Sequence, residues 1–85
     1  ELKPDDAFIM DSMGWLQYRR GNTAEALKYL RRALEIRNDA EIAAHLGEVL
    51  WVMGDRAGAE TVWTSALKQS PDSEVLRGVI KRFKP

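Results

Sequence analysis

Val75, Leu76, Val79, Ile80 and Phe83 recur at intervals of three and four residues near one end of the chain, with Arg77, Lys81 and Arg82 set among them. That is the period of an α-helix with one apolar face and one wet face. Two other segments show the same period with small and large apolar residues alternating along the stripe: Ala26, Leu30 and Ala33-Leu34 in one, Ala59, Trp63 and Ala66-Leu67 in the other. The pattern predicts five helices, roughly residues 5–20, 23–37, 39–53, 56–69 and 72–83. Pro4, Asn38 and Pro71 punctuate every second junction. Gly21 and Gly54 follow the last turns of the first and third helices, where a left-handed residue ends a helix without steric cost. Asn22-Thr23 and Asp55 come next and supply polar atoms to begin the following helix.

The segments are copies of one another. Gly14 pairs with Gly47, Gly21 with Gly54, Ala26 with Ala59, Leu30 with Trp63, Ala33 with Ala66 and Leu34 with Leu67, all at a constant offset of 33 residues. Gly14 and Gly47 fall inside predicted helices, where glycine costs about 1 kcal/mol relative to alanine. Close approach of a second helix is the compensating gain. The alanines are the small partners on that second helix, and Leu30 or Trp63 fills the space between.

This arrangement resembles the tetratricopeptide-repeat (TPR) family, whose pattern runs W-x2-L-G-x2-Y, then G, then A-x3-F-x2-A-L, then P. The second copy carries Leu46-Gly47, Gly54, Ala59, Trp63, Ala66-Leu67 and Pro71. The first carries Met13-Gly14, Gly21, Ala26, Leu30 and Ala33-Leu34, with Asn38 at the proline position. Met10 and Ala43 stand where the family often has tryptophan, Gln17 and Leu50 replace its tyrosine, and the period is one residue short of the usual 34. The missing residue is placed in the turn around Asn38-Asp39. The resemblance implies an all-α, right-handed solenoid segment. Residues 1–4 would be the tail of a preceding repeat, 5–38 the first repeat, 39–71 the second, and 72–85 a closing helix that caps the stack at the end of the parent protein.

Composition narrows the function. Lys+Arg and Asp+Glu balance at 13 each, so long-range charge does not draw the chain to nucleic acid or anionic lipid. The chain has no cysteine, which excludes disulfides, thiolate metal sites and cysteine nucleophiles. No apolar run approaches the roughly 20 residues needed to span a bilayer, so this segment is not expected to insert into a membrane. Ser12 beside Asp11 lacks any nucleophile motif, and no enzyme is expected. Glu41, His45 and Glu48 share one helix face at i, i+4 and i+7, but one helix with the chain's single histidine is not a metal site. No cofactor is expected.

In TPR arrays the first helix of each pair lines a concave groove, and the resemblance therefore nominates partner-binding positions. These are Phe8, Asp11, Ser12, Trp15, Tyr18 and Arg19 from the first copy, and Glu41, Ala44, His45, Glu48 and Trp51 from the second. The closing helix adds Glu74, Arg77, Gly78 and Lys81. Aromatic residues there suit recognition of another polypeptide, although Trp15, Tyr18 and Trp51 at helical spacing could equally pack between helices. Trp63, at the wedge position, is assigned to the core. The family's clamp for acidic chaperone tails would need cations where this chain has Asp11, Trp15, His45, Glu74 and Gly78, so that ligand is not expected. The function expected is a protein-interaction scaffold or adaptor. One alternative is a spacer or cap within a longer solenoid, with no ligand of its own. A minor alternative is an RNA-binding helical repeat using Arg19-Arg20 and Arg31-Arg32, disfavoured by the interleaved Glu25 and Glu35. Apolar faces at either cut end could also drive self-association.

The string from Ile42 to Trp51, with Asp11-Ser12-Met13-Gly14-Trp15 upstream, is similar to the carboxyl-terminal repeats of large proteobacterial TPR lipoproteins of the outer membrane. That resemblance implies a periplasm-facing adaptor and a periplasmic processing protease as partner. Without it, the bacterial cytoplasm and the periplasm stay equally open.

Overall fold

The computed structural model describes residues 6–84, and the expected repeat tail at residues 1–4 lies outside them. Five helices follow in order: α1 (Ala7–Arg19), α2 (Thr23–Ile36), α3 (Ala40–Val52), α4 (Arg56–Gln69) and α5 (Glu74–Phe83). The described residues contain no strand. Each helix matches one expected from the pattern: α4 has the expected bounds, α2 ends one residue early, α1 and α3 are shorter by one or two residues at each end, and α5 is shorter by two at its start, where capping residues stand outside the helical turn. Asp6 and Asp39 each accept two backbone N–H groups of the first turn, at 3.0 and 3.2 Å and at 2.9 and 3.4 Å. Asp55 and Ser73 each accept one, from Gly58 and Leu76. These side chains satisfy donors that a helix start leaves unpaired. Asn22 differs from expectation: it occupies the N-cap position of α2 without a side-chain cap bond, and its amide turns back to donate to Gln17 at 2.8 Å.

The two hairpin turns are built alike. Gly21 and Gly54 adopt φ of +87° and +97°, and the next residue's N–H reaches back to Gln17 and Leu50 carbonyls at 2.8 and 2.9 Å. That bond closes the end of the first helix of each hairpin in a left-handed cap.

Packing follows from which helices touch. α1 lies on α2 and α3 on α4; between hairpins, α2 meets α3, and α1, α3 and α5 adjoin in a row. Among the described residues α2 and α4 do not meet. They diverge over a crevice of about 500 Å³ floored by Leu46 and walled by Arg31, Leu34, Val62 and Ser65. The array is thus tight along α1, α3 and α5 and open along α2 and α4. α3 lies at its centre, with Ile42, Ala43, Ala44, Leu46, Gly47, Val49 and Leu50 all buried.

The glycines inside α1 and α3 have equivalent surroundings. A methyl group on Gly14 would stand 2.9 Å from Leu30 Cγ, 3.1 Å from Tyr29 Cβ and 3.2 Å from the Ala26 carbonyl. One on Gly47 would collide with the Trp63 indole itself. Trp63 is 1% exposed, and its indole N–H donates to the Ala44 carbonyl at 3.4 Å. By contrast, Gly78 of α5 opens onto free space.

This contrast sets an order for three identical substitutions. Gly47→Ala should destabilise most, by about 1–3 kcal/mol through overpacking. Gly14→Ala should cost less, because its nearest approach, 2.9 Å to Leu30 Cγ, is milder than the collision with the indole at Gly47. Gly78→Ala should be neutral or stabilising by up to about 1 kcal/mol through helix propensity. Urea denaturation midpoints of the three variants measure the order, and equal midpoints would refute close packing at Gly47.

Candidate functional site

The inner row carries a connected set of polar and aromatic side chains drawn from three helices. On α1, the spacing of Asp11, Trp15 and Tyr18 by four and three residues puts them on one face. His45 and Glu48, three apart on α3, meet them. His45 Nδ1 lies 2.8 Å from Asp11 Oδ1. Because an ionised carboxylate only accepts, Nδ1 carries the proton and donates. The Trp15 indole stacks on the His45 ring at 4.2 Å between centroids and touches the Tyr18 ring at 4.9 Å. The Tyr18 hydroxyl donates to Glu48 Oε2 at 3.2 Å, and Arg82 of α5 donates to the other oxygen of the same carboxylate.

Burial makes these contacts matter. Asp11 is the buried charged residue among the described ones, 7% exposed. A carboxylate withdrawn from water needs a partner, and His45 supplies it. Burial pushes the His45 pKa down, but the hydrogen bond and charge of Asp11, with Glu41 and Glu48 behind them, push it up further, and the net shift is upward. The Tyr18 phenol is also raised, first by burial and then by the charge and hydrogen bond of Glu48, against the opposing charge of Arg82.

Between α1, α3 and α5 these residues line a cleft of about 310 Å³. Trp15, Ala44, His45 and Glu48 form one side, and Glu74, Val75, Gly78, Val79 and Arg82 the other. Gly78 leaves the α5 wall open. Of the positions nominated from sequence, Trp15, Ala44, His45, Glu48, Glu74 and Gly78 line this cleft, and Asp11 and Tyr18 buttress it from α1. Ser12, Arg19, Glu41, Arg77 and Lys81 are exposed on the same three helices. Phe8 stands apart, 45% exposed beneath the Arg37 guanidinium at the far end of α1. Trp51 also diverges from its repeat equivalent Tyr18: it packs on Trp63 at 5.7 Å and on Phe83 at 6.1 Å, with Arg56 over its face.

Val75, Val79 and Arg82 are the cleft residues that sequence reasoning missed, and Arg82 is the charged one. Its signal was the repeat period. Asp11 to His45 and Glu48 to Arg82 are both separations of 34 residues, so residues one period plus one apart meet on neighbouring helices of the inner row. Among the described residues no group of three or more His, Asp or Glu side chains is arranged to hold a metal ion, and no helix is long and apolar enough to cross a membrane.

Because the folded-state pKa of His45 is raised above its unfolded value near 6.5, the pair's stabilisation is fully present below that value. It is lost as pH rises through the folded pKa. Stability measured by urea denaturation should therefore fall across that interval in the wild-type chain. The fall should vanish in His45→Gln and shrink in Asp11→Asn. A wild-type curve that is flat or rises there would contradict the pairing.

Comparison with known proteins places this geometry in context. The sequence profile of the tetratricopeptide repeat family matches residues 17–81. A TPR repeat-containing protein of Pseudomonas aeruginosa is 54% identical over 83 residues, which is 98% of this chain. The chain spans 14% of that relative's length.

Proposed function

This chain belongs to the tetratricopeptide-repeat family, and on that premise we propose that it binds a partner polypeptide along the row formed by α1, α3 and α5, with the cleft at Trp15 and Gly78 as the anchoring point. Repeats of this family are generally protein-interaction modules, and their proteins are typically scaffolds without enzymatic activity. In this reading residues 5–38 and 39–71 are the two repeats and 72–85 the closing helix. The observation that carries the proposal is the cleft's composition. An exposed-edged aromatic, Trp15, lies beside the small, buried Ala44, with an α5 wall that lacks a side chain at Gly78. Rigid aromatics next to an open space give large contact area at little entropic cost, which is how a few residues come to dominate an interface.

The cleft does not favour an acidic tail. Glu48 and Glu74 line it, and its cation Arg82 is already committed to Glu48. An apolar or aromatic side chain of the guest, flanked by polar main chain, suits it better. The sequence similarity to outer-membrane adaptors suggests a periplasmic processing protease as the class of guest.

Partner capture with the chain in its natural sequence context tests this. Trp15→Ala should cut recovery about tenfold or more, as expected for a hot-spot residue. Tyr18→Ala should cut it less, since Tyr18 supports the cleft from behind. Gly78→Leu should block the cleft without loss of thermal stability, because no neighbour lies where its side chain starts. Arg31→Ala, on the outer crevice, should change nothing. Unchanged recovery in both Trp15→Ala and Gly78→Leu would remove this row as the binding surface and leave the spacer function in its place.

A further inference from the structure

The junction between the two hairpins has two unlike edges. Along one, α2 packs on α3, and near the start of α1 an apolar knot of Ala7, Ala33 and Ile42, with Met10 and Leu34 against it, joins the three helices. Nothing in that knot titrates. Along the other edge, facing the cleft, α1 reaches α3 through the Asp11–His45 pair, the Trp15 ring lying on His45, and the Tyr18–Glu48 bond. An apolar pivot with a polar closure opposite it is the geometry of a joint.

We propose that Asp11, His45 and Trp15 form a proton-operated joint between the two hairpins, closed while His45 carries its second proton and loosened when it is neutral. The groups that face His45 come from every element around it. α1 contributes the Asp11 carboxylate and the Trp15 ring. α3 itself contributes Glu41 and Glu48, and α5 contributes Glu74 and Arg82 along the shared cleft. With His45 charged, the buried Asp11 carboxylate has a cation in hydrogen-bond contact, and a charge-assisted bond is roughly twice as strong as a neutral one. The protonated imidazole also lies against the Trp15 ring face, an attractive arrangement that the neutral ring loses. With His45 neutral, Nδ1–H still donates to Asp11, but the carboxylate stays withdrawn from water with no counter-charge, and Glu48 keeps Arg82 for itself. The Tyr18–Glu48 bond does not change charge in this pH range, because the phenol titrates above about 10. The part of the closure that responds to pH therefore rests on the one proton of His45, while the Tyr18–Glu48 bond keeps the hairpins joined. Burial of the ring opposes that proton, but the hydrogen bond and charge of Asp11, with the charges of Glu41 and Glu48, outweigh it and move the proton's loss upward in pH. Loosening would move Trp15 relative to Gly78 and so reshape the cleft. That last consequence rests on the groove as a binding surface; the joint itself does not.

A test needs no partner, so its failure is distinct from failure of the binding proposal. The chain has no cysteine, so Arg19→Cys on α1 and Lys81→Cys on α5, both exposed, accept a pair of spin labels specifically. Their separation is measured at pH values on both sides of the His45 titration, and the titration itself is followed by NMR of the single imidazole. The expected result is one separation distribution at low pH that shifts and broadens as His45 loses its proton. The same labels in a His45→Gln background should give a distribution that does not move with pH. A wild-type distribution that is unchanged while His45 titrates overturns the proposal, as does an equal shift in the His45→Gln background.

Discussion

The array depends on how closely the two helices of a hairpin can lie. Gly47 lets α4 press its Trp63 indole against the α3 backbone, and at 1% exposure that ring is the largest fully buried side chain. Removing such a ring costs about 3–5 kcal/mol, a large share of the roughly 4–13 kcal/mol expected for a chain of this size. Gly14 and Leu30 repeat the contact in smaller form. Because both hairpins are built around the same small-against-large contact, they present matching edges, and the second stacks on the first with α3 enclosed between them.

Enclosing α3 has an electrostatic consequence. Apolar residues can fill its faces toward α2 and α4, but its inner edge adjoins α1 and α5 along a row that is part buried and part wet. There the chain places charge, and the two carboxylates withdrawn from water are matched across a helix boundary: Asp11 to His45, Glu48 to Tyr18 and Arg82. No side-chain nitrogen or oxygen buried among the described residues lacks a hydrogen-bond partner. These bonds add little next to the Trp63 contact. Their role is orientation, since they fix how α1 and α5 lie against α3 and hence the shape of the cleft between them.

The side chains of this row are engaged mainly with one another. Its one histidine spends Nδ1 on a structural carboxylate and its ring face on an indole. In the proposed binding role, what the row would offer a guest is area, an aromatic edge and an opening at Gly78. Such features gain affinity by being held rigid before the guest arrives. In that role, the polar contacts that tie α1, α3 and α5 together would hold the surface in shape even where they are not themselves exposed.

The sequence by itself determined the elements and their pairing. Helical periodicity gave five helices, Gly21 and Gly54 marked the hairpin turns, and the offset between Gly14 and Gly47 revealed two copies whose wedge positions are Leu30 and Trp63. These are local properties, set by backbone sterics and by one helix fitting its immediate neighbour. That the nominated positions fall on α1, α3 and α5 was also legible, because a repeat carries its faces with it, although Phe8 stands apart from the cleft and Trp51 packs on Trp63 and Phe83. Which of them meet was decided by tertiary structure alone. Tyr18 and Trp51 are equivalent by position, yet Tyr18 finds Glu48 on the following helix while Trp51 finds Trp63 and Phe83. Asp11 and His45, read singly, are a solvated acid and a solvated imidazole. Burial at the seam between hairpins makes them one unit, since a carboxylate taken out of water is stable only against a partner that the neighbouring repeat brings to it.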